Sequence, residues 1–162
     1  QITFKPNTSV TLNSSTFIGT DKPDSARLMR FFHNFYGIFQ ISEKIGVTVG
    51  FDCGTEEKTV EGGGRNTWYT PVVMIRAAVT EKVAISARGE YYSDEHGVII
   101  ATGTPSGFQT GGISLNLDYQ VAPAALWRIE ARNLMSKDDI FTREDKPVND
   151  NIFVSTSLAI SF

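Results

Sequence analysis

"NIFVSTSLAISF", Asn151 to Phe162, closes the chain. Ile152, Val154, Thr156, Leu158, Ile160 and Phe162 share one parity, and Asn151, Ser155, Ser157, Ala159 and Ser161 share the other. Such one-sided alternation marks a half-buried antiparallel strand, and it does not by itself say whether the apolar side meets a protein core or lipid.

The rest of the chain supplies the context. Period-2 stretches run from Val10 to Gly19, Arg30 to Ile41, Ile45 to Cys53, Trp68 to Val79, Val83 to Tyr92, Thr110 to Val121, Leu126 to Leu134 and Ile152 to Phe162. Most approach the roughly 9 to 11 residues that a tilted strand needs to cross a bilayer, and exceed the 5 or 6 usual in soluble sheets. Their connections alternate between two kinds. "SEK" (Ser42–Lys44), "TEK" (Thr80–Lys82) and "APAA" (Ala122–Ala125) are short, whereas "TDKPDSARLM", "GTEEKTVEGGGRN", "SDEHGVIIATGTPSG" and "SKDDIFTREDKPVND" are long and polar. Short turns at one end and long loops at the other are the layout of an outer-membrane β-barrel. A weak repeat supports the hairpin register: "ISEKIGVTVGFD" from Ile41 matches "VTEKVAISARGE" from Val79 in character. "FKPNTSVTLN" resembles another member, so that "QITF" reads as the stub of a strand entering that turn and the chain as a fragment of a longer barrel.

Composition bounds the alternatives. A formal charge of −3 offers no basic field for nucleic acid, and 41% hydrophobic residues are too many for disorder. No apolar run approaches the roughly 18 residues of a spanning helix, a test that β-barrels escape. Cys53 is the only cysteine, which rules out an intrachain disulfide and any site built from several cysteines.

Parity then assigns the faces. Ile113, Leu115, Leu117, Tyr119 and Val121 oppose Ser114, Asn116, Asp118 and Gln120; Trp127, Ile129 and Ala131 oppose Arg128, Glu130 and Arg132. Tyr69, Val73, Ile75, Ala77 and Val79 oppose Val72, Met74 and Arg76, and Val83, Ile85, Ala87 and Tyr91 oppose Arg88, Glu90 and Tyr92. Charge at mid-strand on an inner face, with an apolar outer band, is the reverse of a lipocalin-like soluble barrel. The expected fold is therefore all-β, an antiparallel up-and-down transmembrane β-barrel with about eight strands in this chain, forming one domain over residues 1–162. Tyr69, Tyr91, Tyr119, Trp127 and Phe162, near strand ends on the outward parity, are the expected aromatic girdle at the membrane interfaces.

"RFFHNFYGIFQ" (Arg30–Gln40), "GEYYSDEHGVIIATGTPSGF" (Gly89–Phe108), "LNLDYQ" (Leu115–Gln120), "LWRIEAR" (Leu126–Arg132) and the terminal "SLAISF" resemble the outer-membrane β-barrel porin family described as OmpL-like. The likeness runs over nearly the whole chain. It implies a bacterial outer-membrane barrel of more than eight strands, with this chain as its C-terminal part, and it brings no catalytic residue with it. The terminal Phe after an alternating strand resembles the signal that barrel assembly machinery reads.

Arg76, Arg88, Glu90, Asp118, Arg128, Glu130 and Arg132 form the candidate site, a ladder of both signs on neighbouring strands. They either line a water-filled lumen and set its field, or pair with one another and stiffen a filled wall. His33 falls on the outward parity and His96 in a loop beside Glu95, and neither forms a recognisable pair with a nucleophile, so no enzyme is expected. The acidic, glycine-rich "GTEEKTVEGGGRN" matches neither a calcium loop nor a phosphate loop. No metal or cofactor is expected. The expected function is a porin-like channel for passive diffusion of small hydrophilic solutes, with lipid bilayer, lipopolysaccharide and the assembly machinery as partners. The alternative is a small closed barrel with a structural or loop-mediated binding role and no conductance.

Overall fold

The computed structural model describes residues 1–59 and 63–162; Val60, Glu61 and Gly62, in the middle of the acidic glycine-rich loop, lie outside the described residues. Eleven strands are present among the described residues: β1 (Ile2–Asn7), β2 (Val10–Gly19), β3 (Arg30–Gln40), β4 (Ile45–Glu57), β5 (Arg65–Ala78), β6 (Val83–Asp94), β7 (Phe108–Ala122), β8 (Ala125–Ser136), β9 (Phe141–Arg143), β10 (Lys146–Val148) and β11 (Asp150–Ile160). Nine form one antiparallel meander in the order β1-β2-β3-β4-β5-β6-β7-β8-β11, and β9 and β10 form a separate hairpin.

The count exceeds eight by three: the "QITF" stub belongs to the short strand β1, paired to β2, and β9 and β10 supply the other two. The strands also run further toward the long loops than the alternation does. β4 continues past Cys53 to Glu57 and pairs with β5 as far as Glu57 opposite Arg65. Near that end the residues on both faces are mostly polar, so hydrophobic alternation fades while the backbone ladder persists. The loop "SKDDIFTREDKPVND" is not wholly irregular. Positive φ at Glu144 (51°) and Asp145 (60°) gives the two-residue hairpin turn joining β9 and β10. Glu-Asp is an uncommon choice there, which hides the turn from sequence.

The wall is staggered. Ile45 begins β4 opposite Ala77, close to the end of β5, and Val83 begins β6 opposite Tyr119, after which β7 continues to Ala122 before turning. Each short turn thus lies further along the ladder than the one before, the shear of tilted barrel strands. The sheet curls as well. Ile38 on β3 and Glu130 on β8 line one cavity of about 430 Å³; on a flat sheet those strands would stand ~24 Å apart. The curl is not closed into a ring: β1 pairs only with β2, and β11 only with β8.

Burial is inverted relative to a soluble protein. The buried hydrophobic residues among those described are Trp68 and Ala84, whereas Asp118 is 5% exposed and Ser114 is 7% exposed. On the other face, Leu115 is 63% exposed and Leu158 is 58% exposed. A lipocalin-like soluble barrel would show the opposite.

Candidate functional site

All seven ladder residues occupy the polar face, because the register keeps their parity in step. Arg76 lies opposite Ser86, Arg88 opposite Ser114, Ser114 opposite Arg132, Asn116 opposite Glu130, and Asp118 opposite Arg128. Three ion pairs tie them. The Arg128 guanidinium donates to both carboxylate oxygens of Asp118, at 2.7 and 3.0 Å, a fork that suits directly opposed residues. Glu90 receives Arg88 from two residues earlier on β6 and Arg132 from β8.

The Glu90–Arg132 contact spans the intervening strand β7. This works because Gly112 stands opposite Glu90 on β7; a Cβ there would sit 2.7 Å from Glu90 Oε1. Gly112 leaves a groove in which the carboxylate lies, a role that parity reading misses because it tracks only side chains that are present. Arg76 and Glu130 make no ion pair within 4 Å among the described residues and line the same curled basin as Gln40, Thr48, Ser86 and Asn116. Within the ladder, then, some charges pair along the wall and others face open space.

The polar face carries a second cluster that the sequence reading did not single out. Arg30 donates to Glu56 Oε2 from Nε at 2.9 Å and from Nη2 at 2.5 Å, and to Asp21 at 2.8 Å, with its guanidinium 5.5 Å from the Trp68 ring centre. Beside it, Asn34 Nδ2 donates to Asp52 Oδ1 at 2.5 Å. Continuing the parity through "RFFHNFYGIFQ" and "GVTVGFDCGTEE" would have placed these residues inward.

The expected girdle residues lie on the opposite face in two groups. Tyr119 stands opposite Trp127, and Trp127 opposite Leu158, near the short turns. Tyr69 lies 6.3 Å from Phe51 and 6.2 Å from Tyr91, toward the loops. From Val83, opposite Tyr119, to Tyr91 is eight residues of β6 (91 − 83). That is ~27 Å of strand and, at a tilt of about 40°, ~20 Å of depth, against an apolar band of about 25 Å. The Trp127 indole N–H donates to Thr156 Oγ1 at 2.7 Å, so its polar atom is satisfied on an apolar face. Phe162 follows the end of β11 and is fully exposed.

His33 also lies on the apolar face. Its ring nitrogens stand 2.9 Å from Thr16 Oγ1 and 3.5 Å from Ser14 Oγ, and its ring stacks beside Phe31. No carboxylate forms an ion pair with it among the described residues, so these hydroxyl contacts lack the orienting third group of a hydrolytic triad.

Comparison with known proteins agrees with this geometry. The family described as "Putative beta-barrel porin-2, OmpL-like" matches residues 1–162. Among solved structures, the NanC porin superposes with a TM-score of 0.68 at 8% sequence identity, over 99% of this chain and 76% of that one, a likeness of fold. A search of curated proteins gives no match. With its family match spanning the whole sequence, its antiparallel curled sheet and its inverted burial, the chain belongs to the OmpL-like beta-barrel porin-2 family.

Proposed function

We propose that the protein is a diffusion channel of the bacterial outer membrane, passing small hydrophilic solutes through a water-filled lumen lined by Arg76, Arg88, Glu90, Asp118, Arg128, Glu130 and Arg132. The observation that carries this reading is the division of the sheet into a charged, sheltered face and an apolar, exposed one. Fixed charges along an aqueous path bias which small ions pass. The apolar face, with rings near both ends, is suited to lipid, and the Tyr69/Tyr91 and Tyr119/Trp127 groups would sit at the two interfaces. Lipopolysaccharide would then border the loop end, and β11 with its terminal Phe162 would be the part engaged by the assembly machinery.

The test is conductance of the intact protein in a planar bilayer. Stable unitary steps whose size grows with salt are expected. A correctly inserted protein that leaves the bilayer electrically silent would favour the structural barrel instead.

A further inference from the structure

At the loop end of the polar face lies a feature distinct from the charge ladder. Phe17 and Phe32 oppose each other across β2 and β3; Phe32 opposes Gly54 on β4, and Gly54 opposes Trp68 on β5. The Trp68 indole covers Gly54 so closely that a Cβ there would overlap it. These rings, with Asp21, Arg30, Tyr92 and Ile99, line an open cavity of about 380 Å³. Small-molecule sites run from about 300 to 1,000 Å³.

One wall comes from the loop between β6 and β7, and it is fixed in place. Asp94, fully buried at the end of β6, accepts hydrogen bonds from the backbone N–H groups of Val98 at 2.9 Å, Ile99 at 2.7 Å and Ile100 at 2.9 Å. Ile99 is thereby held against a cavity whose far side is Phe17, on β2.

Charge selects the class of ligand. Asp21 and Arg30, the charged residues that line the cavity, pair with each other, and Arg30 is also held by the buried Glu56, so no surplus positive charge is left for an anion. The Trp68 face that a free cation would seek already holds the Arg30 guanidinium. What remains is a set of apolar ring faces beside one exposed carboxylate acceptor and one guanidinium donor. A ring with apolar C–H faces and a rim of hydroxyls complements that combination. We infer that this cavity is a subsite for the pyranose ring of a neutral saccharide, with Phe17, Phe32 and Tyr92 against its C–H faces and Asp21 and Arg30 hydrogen-bonded to its hydroxyls. The inference rests on the channel reading, because solute reaches the cavity along the polar face.

Two measurements separate the subsite from the channel. In a planar bilayer, the intact protein is recorded first without sugar and then with maltose, glucose or glucuronate. Maltose is expected to interrupt the current in a concentration-dependent way, with glucuronate acting more weakly than glucose. Phe17→Ala should weaken the maltose response about tenfold, the loss of one aromatic contact. A conducting protein that ignores maltose, a Phe17→Ala protein that responds like the native one, or a stronger response to glucuronate would each overturn the subsite. If the protein does not conduct, the channel reading fails by itself. The subsite is then decided by fluorescence in detergent of the Trp127→Phe protein, in which Trp68 is the remaining tryptophan of residues 1–162, compared with the Trp127→Phe, Trp68→Phe protein as background. A maltose-dependent change upholds it, and its absence overturns it.

Discussion

Two glycines show how much a missing side chain can specify. Gly112 gives Glu90 its passage across β7 to Arg132, and Gly54 gives the Trp68 indole its seat. Gly112→Val should displace the Glu90 carboxylate and separate it from Arg132. Gly54→Ala should force the buried indole out of place, at a cost of about 1 to 3 kcal/mol typical of overpacking. Equilibrium unfolding in detergent measures the second effect; an unchanged midpoint would mean that Trp68 shifts freely, contrary to its burial. Asp118 presents the converse case. It is 5% exposed and its forked partner is Arg128, so Arg128→Ala strands a sheltered carboxylate and should destabilise more than Arg76→Ala, which breaks no ion pair. Arg88, Glu90, Asp118, Arg128, Glu130 and Arg132 were legible from parity alone, because each strand that carries them alternates cleanly. Gly112, Gly54 and the Arg30–Glu56 pair were not, since a glycine leaves no mark on a hydrophobic pattern and a pairing across strands needs the register.

At the scale of strands and loops, the apolar parity of the last strand carries a direct test. Leu158 on β11 belongs to the exposed apolar face and Ser157 to the polar one. Leu158→Arg should cost about 2 to 4 kcal/mol if that face meets lipid at mid-depth, and Ser157→Arg little. Equal losses would contradict the facing assignment. The loops were the least legible part: strand ends extend into them through residues that are polar on both faces, and the β9–β10 hairpin turns on Glu144 and Asp145, which are unusual in that conformation. Contacts between loops have a predicted pH response. The Ser106 backbone N–H donates to Asp138 Oδ2 at 2.7 Å and holds that carboxyl below the ordinary aspartate range. Because the folded-state value is depressed, the tie is at full strength above the usual aspartate value and is lost as pH falls through the lower, folded one. Protection of the Ser106 amide from hydrogen exchange, relative to an unstructured amide at the same pH, should persist through the ordinary range and be lost only below it; its loss within the ordinary range would contradict the contact.

For the whole molecule, the arrangement of charge along the strands has consequences for transport. Arg76 and Arg128 lie near the short-turn ends of β5 and β8, while Glu56 and Asp94 lie at the loop ends of β4 and β6. The four arginines of the ladder outnumber its three carboxylates, whereas toward the loops Asp52, Glu56 and Asp94 outnumber Arg30. Such a graded lumen should pass current unequally in the two directions, and the asymmetry should fade toward 1 M salt, where the screening length is about 3 Å. A symmetric current at low salt would count against the grading. The topology carries an expectation of its own. With nine antiparallel neighbours in sequence, β1 and β11 point the same way, so pairing them directly would make a parallel seam. These 162 residues alone should therefore show no heat-dependent gel shift after refolding in detergent, and a shift would contradict the open edges. The up-and-down plan was legible from turn lengths, because short and long connections alternate along the chain. If ions travel along the charged face, the reversal potential of the intact protein under a salt gradient reads the charge of that face. Replacing Arg128 and Arg132 together by Ala should move it toward cation preference; an unmoved potential at unchanged conductance would show that the ladder does not line the path.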